Sequence, residues 1–112
     1  MRVDDAIRVQ HMIEAAESAL QFVSGHARPD LDTDRMLLFA VVRAVEIIGE
    51  AASKVSAETR TAHGGIPWGA IVGMRNRLVH AYFEINMDVL WVAVSEEIPA
   101  LLSQLRTLAS KA

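Results

Sequence analysis

Met74-Arg75-Asn76-Arg77-Leu78-Val79-His80-Ala81-Tyr82-Phe83 is the stretch on which the reading of this chain turns. It holds two arginines, an asparagine, one of four histidines and the only tyrosine of the sequence. A helix starting at Pro67 and running through it at about 100° per residue brings Trp68, Ile71, Val72, Leu78, Val79 and Tyr82 within roughly 60° of one direction, with Arg75 at the centre. An unpaired charge in an apolar stripe is costly, so Arg75 is expected to meet a carboxylate, a subunit boundary or a solvated groove. On the same straight helix His80 falls about 140° from Arg75. One ideal helix therefore cannot aim both groups at a single small target. Either it ends or bends near His80, or two copies of the motif face each other.

Outward from this stretch the chain reads as helical scaffold. Towards the N-terminus, Asp4 is placed to cap a helix whose apolar positions Ala6, Val9, Ile13, Ala16, Leu20 and Val23 alternate steps of three and four. Gly25 and Pro29 stop it. Asp32 or Thr33 is expected to cap a second helix with Asp34 in its first turn. That helix carries Leu37, Val41, Ala44, Ile48, Ala51 and Val55 on one seam, flanked by Leu38, Val45, Ile47 and Ala52, a face wide enough for more than one neighbour. Its remaining narrow face holds Phe39, Arg43, Glu46 and Glu50. That strip is either solvated, with Arg43 pairing Glu46, or it turns Glu46 or Glu50 toward Arg75 to orient it.

Ser56 to Thr61 adds one helical turn before the Gly64-Gly65 break, and Pro67 suits the first position of the third helix. Beyond Phe83, Asn86 is placed to cap a fourth helix with Met87, Trp91, Val94, Ile98, Leu101, Leu105 and Leu108 as its seam, which Pro99 should kink or split at Ile98. Amphipathic helices with short connectors predict an all-α, antiparallel four- to five-helix bundle, residues 1–112 forming a single domain. The wide second helix and Phe39 leave surface for a partner chain to cover.

Composition agrees with helices. Of the 112 residues, 52% are hydrophobic and only 5% aromatic, with little Pro or Gly to punctuate a sheet. The absence of cysteine excludes disulfides, thiolate metal sites and cysteine catalysis. No apolar run approaches the ~20 residues of a membrane span, and no basic leader opens the chain, so the expected location is the cytoplasm. A net charge of −3 gives no global attraction to nucleic acid, so any polyanion must be held by a local patch.

Several chemistries are absent. There is no phosphate-cradling G-x-x-x-x-G-K-[ST], no dinucleotide fingerprint and no G-x-S-x-G elbow. None of His11, His26, His63 and His80 follows a glutamate at the spacing of a di-iron bundle, His11 with Glu14 being the reversed order and reading as a surface pair. No metal or cofactor is implied. What remains is Arg75, Arg77 and His80, which suit phosphate chemistry. A guanidinium matches phosphate oxygens and stabilises the charge of a pentacoordinate transition state. An imidazole of ordinary pKa, about 6.5, can take a proton from a 2′-hydroxyl or give one to a leaving oxygen at neutral pH. RNA supplies its own nucleophile, so these groups can cleave it without metal, and Asn76 can hydrogen-bond phosphate or sugar. On spacing alone, a structural Arg–Glu pair and a histidine favouring a helix end account for the same residues.

The chain resembles the HepT-like group of the HEPN superfamily. The likeness is carried by Arg43-Ala44-Val45-Glu46-Ile47-Ile48-Gly49-Glu50-Ala51-Ala52, by Ile66-Pro67-Trp68, by Gly73 through Phe83, and by Trp91 and Ile98-Pro99, in family order from about Leu37 to Leu105. It implies a homodimeric helical bundle acting as the toxin of a two-gene toxin–antitoxin system. The implied activity is that of a metal-independent RNA endonuclease acting on tRNA or mRNA, with Arg75 and His80 catalytic and Asn76 and Arg77 supporting at the phosphate. The implied partner is a minimal nucleotidyltransferase antitoxin that transfers AMP to Tyr82, filling the groove with a phosphate and nucleoside beside its cations. For Tyr82 a helix-end aromatic, ring on the core and hydroxyl in water, is compatible with that role. A dimer also answers the geometry of the motif, since two copies across a two-fold axis place both pairs around one groove. The alternative is a noncatalytic nucleotide- or partner-binding module working with a nucleotidyltransferase, which the acidic net charge favours.

Overall fold

The computed structural model describes residues 1–81 and 84–111, the side chains of 79–81 excepted. The chain is mostly helical: α1 (Val3–Val23), α2 (Asp30–Thr33), α3 (Arg35–Ser53), α4 (Ala57–Ala62), α5 (Trp68–Val72), α6 (Met74–Leu78), α7 (Met87–Val92) and α8 (Ile98–Ser110). One small ribbon interrupts it, β1 (Val79–Ala81) pairing antiparallel with β2 (Glu84–Ile85), with Val79 opposite Ile85.

The two long N-terminal helices pack along each other, α8 lies against α1, and α5 and α6 cover the other side of α3. The expected α3 seam, Leu37, Val41, Ala44, Ile48, Ala51 and Val55, is buried throughout, and so are Leu38, Val45 and Ala52 beside it. This width lets one helix serve as the wall shared by α1 and by the α5–α6 segment. On α1 the buried apolar residues are Val9, Met12, Ile13, Ala15, Ala16 and Ala19, the small ones allowing close approach to α3.

Capping residues sit near the expected places, with shifts. Asp34, expected within the first turn of α3, is its N-cap, accepting from the Leu37 N–H at 3.0 Å. Asp32 and Thr33 instead belong to the short α2, whose Leu31 is buried. Asp4 is not a cap, because α1 already begins at Val3 and places Asp4 and Asp5 in its first turn, where carboxylates suit the helix dipole. Gly25 adopts φ +80°, a conformation that costs other residues more and that turns the chain out of α1. Ser56 caps α4 and Asn86 caps α7, each through its side-chain oxygen.

Two expected helices are broken. The third does not run on from Pro67 through the motif: α5 stops at Val72, Gly73 separates it from α6, and α6 ends at Leu78. Pro67 stands at the N-cap of α5 instead of its first turn. The fourth splits where Pro99 predicts, through a π-helical turn at Ala93–Glu97. Pro99 has no N–H to close an α-turn onto Ser95. The helix widens just ahead of it, with the Ile98 N–H bonding Ala93 five residues back.

Candidate active site

The packing of α5 and α6 on α3 decides where the motif side chains point. The buried residues of α5 and α6 are Trp68, Ile71, Met74 and Leu78, at steps of three, three and four, so the inward face lies to one side of the stripe expected from Pro67. Arg75 is therefore not at the centre of the apolar stripe. Met74 takes the inward position, and the Arg75 side chain is 47% exposed. Burial of an unpaired guanidinium is avoided by rotation of the helix, without a buried ion pair.

Arg75 and Asn76 line a shallow groove with Glu46, Gly49, Glu50 and Ser53 of α3, enclosing about 190 Å³. Glu46 Oε1 lies 3.9 Å from Arg75 Nε, a Coulombic contact too long to be a hydrogen bond. Arg43 meets the same pair of carboxylates from the other side, its Nη1 3.5 Å from Glu46 and 3.5 Å from Glu50. Glu46 thus stands between two guanidiniums, and its own side chain is only 26% exposed.

Gly49 forms the floor of this groove, and its lack of a side chain is what lets α5 come so close. A Cβ there would lie 3.3 Å from the Ile71 carbonyl oxygen and 3.5 Å from that of Val72. A glycine inside an apolar helical run was the available signal for such an approach. Trp68 holds the start of α5, donating its indole N–H to the His63 carbonyl at 3.1 Å.

Arg77 is not brought to the same groove. It faces α8 and forms a two-pronged pair with Glu97 at 3.4 and 3.2 Å. The helix ends two residues before His80, so the backbone of His80 lies in β1 and leaves the helical direction set by Arg75. The His80 side chain and Tyr82 lie outside the described residues. Among the described residues no group of three histidine or carboxylate side chains is close enough to hold a metal ion. Nor is any described helix long and apolar enough to cross a membrane.

Fold and groove together define a class: a small, predominantly helical protein with an accessible arginine and a carboxylate in one shallow cleft. Within it, this chain belongs to the HepT-like family, whose model, described as "Ribonuclease HepT-like", matches residues 12–108. It is 36% identical over 103 residues to "Putative RNase TTE0752" of Caldanaerobacter subterraneus subsp. tengcongensis, covering 92% of each chain. It is 39% identical over 93 residues to "Probable ribonuclease HepT" of Thermococcus cleftensis, covering 83% of this chain and 84% of that one. With "Putative RNase MJ1380" of Methanocaldococcus jannaschii it shares 34% identity over 90 residues, 80% of this chain and 83% of the relative. No solved structure matches it significantly.

Proposed function

We propose that this protein is a metal-independent RNA endonuclease, the toxin of a toxin–antitoxin pair, which works in the cytoplasm as a homodimer. The observation that carries the reading is the state of Arg75: half exposed, in a groove, and held by Glu46 only at 3.9 Å. A contact that long and that wet contributes little, so a phosphate can take the guanidinium without breaking a strong internal pair. The family and the names of its relatives support the same chemistry.

In this reading Arg75 grips the scissile phosphate and Asn76 binds a neighbouring oxygen or sugar hydroxyl. Arg77 supports a flanking phosphate by exchanging its exposed pair with Glu97 for it, and Glu46, with Glu50 behind it, orients Arg75. His80 removes the 2′-hydroxyl proton as that oxygen attacks phosphorus. The P–O5′ bond breaks, and the departing 5′-oxygen receives a proton from the second protomer's imidazole, leaving a 2′,3′-cyclic phosphate and a free 5′-hydroxyl. AMP transfer to Tyr82 by a nucleotidyltransferase antitoxin silences the enzyme by placing a phosphate among these cations.

The test is cleavage of total RNA in the presence of a chelator. Activity is expected to persist with chelator and to vanish in Arg75→Ala and His80→Ala, both still folded by circular dichroism. Chelator-sensitive cleavage, or variants as active as the parent, refutes the mechanism. The noncatalytic binding module, favoured by the net charge of −3, instead predicts intact RNA throughout together with stable capture of the nucleotidyltransferase. Intact mass after co-production reads the modification, which should appear as whole AMP units and be absent from Tyr82→Phe.

A further inference from the structure

The Arg75 groove has a neighbour on the opposite flank of Glu50. Arg8 and His11 from α1 and Lys54 at the end of α3 converge on a pocket of about 110 Å³, whose other lining residues are Ile47, Glu50 and Ala51. Glu50 lines both cavities, so they adjoin across one side chain.

The cations of this second pocket are unlike most others on the molecule. Arg2, Arg28, Arg43, Arg75, Arg77 and Arg106 each lie within ion-pair distance of a carboxylate. Arg60 is engaged by the Ala52 and Val55 carbonyls. Among the described residues Arg8, His11 and Lys54 have no such carboxylate partner, although Glu50 shares their pocket. Glu50 turns to Arg43 instead. Two permanent positive charges and an imidazole therefore face one small polar cavity in a protein whose overall charge is −3. With two permanent cations against one carboxylate that also pairs with Arg43, the pocket keeps a local positive excess, which favours an anion.

We infer that Arg8, His11 and Lys54 form a second phosphate subsite, holding the backbone of the same RNA strand beyond the nucleotide at Arg75. The inference rests on the ribonuclease reading and extends it from one phosphodiester to the path of the strand, across α3 toward the N-terminal helix. It also supplies the local patch that an acidic protein needs to hold a polyanion. Glu50, the carboxylate that lines both subsites, lies 3.5 Å from Arg43, which offsets part of its charge toward the strand.

The experiment uses the full chain and a short fluorescent 2′-O-methyl oligoribonucleotide, which binds without offering a nucleophile, titrated at several salt concentrations. Each phosphate contact on a single strand adds about 0.7 to the slope of log K against log salt, so Arg8→Gln/Lys54→Gln should flatten it by about 1.4 and weaken binding about 25-fold at 0.1 M salt. Lys54→Gln alone should produce about half that change in slope, and Lys111→Gln on another face none. Parent-like slope and affinity in the double variant, with native RNA still cleaved by the parent, overturns the subsite and leaves the ribonuclease standing. Unchanged RNA binding with lost capture of the nucleotidyltransferase overturns it in favour of a protein-docking patch. A parent that neither binds the oligonucleotide nor cleaves RNA removes the ribonuclease reading, and the subsite with it.

Discussion

Asp5 offers the sharpest quantitative test of how the scaffold is held. It is 2% exposed, and its carboxylate accepts from the Ser56 N–H at 2.9 Å and from the hydroxyls of Ser56 and Thr59, each at 2.6 Å. These bonds tie the first turn of α1 to the cap of α4, across 51 residues of sequence for Ser56. Hydrogen bonds from Ser56 and Thr59 favour the ionised form and hold the pKa at about 2, against 3.8 for the free side chain. That difference corresponds to about 2 kcal/mol of stability at neutral pH. Because the folded pKa is the lower one, the contribution is present in full above the unfolded value, near pH 4, and fades as pH falls toward 2. Asp5→Asn keeps the shape but not the charge, so it should be about 2 kcal/mol less stable than the parent at pH 6. The gap should close almost completely by pH 2. Urea unfolding followed by circular dichroism from pH 2 to pH 6 measures both. A gap that does not vary with pH, or an Asn variant as stable as the parent at pH 6, refutes the reasoning.

Other outcomes follow from the groove. Gly49→Ala gains about 0.5–1 kcal/mol of helix propensity. It also presses a methyl group to 3.3 Å from the Ile71 carbonyl, an overpacking cost of about 1–3 kcal/mol. The net expectation is a loss of about 1 kcal/mol in urea unfolding, with reduced RNA cleavage as α5 and α6 are displaced. Glu46→Gln should leave stability within about 0.5 kcal/mol, because its ion pairs are long and solvated. If Glu46 orients Arg75, the variant's kcat for RNA should fall about ten-fold with KM little changed. Arg77→Met removes a pair that is 45% and 39% exposed, so it should change stability by less than about 1 kcal/mol. It should also weaken oligonucleotide binding less than Arg75→Met does.

Much of the architecture was legible because its causes are local. The seam of α3 could be read residue by residue, since a helix repeats its faces every three to four positions whatever it packs against. The Asn86 cap and the interruption ahead of Pro99 were equally visible, one from a side chain that satisfies an orphan N–H and the other from a missing one. The family likeness added an ordered set of residues that periodicity cannot supply.

What the sequence by itself determined, then, was the helical class, the extent of α1 and α4, the start of α7 and the identity of the arginine-bearing stretch. Tertiary structure alone decided the surroundings of that stretch. Packing on α3 took Met74 inward and left Arg75 exposed beside Glu46, and Glu97, in the turn ahead of α8, took Arg77 away from the groove. Arg8, His11 and Lys54, two of them on α1 and the third at the far end of α3, met in one pocket. The physical reason is that propensity and periodicity act over a turn or two, whereas the rotation of a helix about its axis is set by all the side chains packed beneath it. A few tens of degrees of that rotation choose which polar groups on its surface become neighbours.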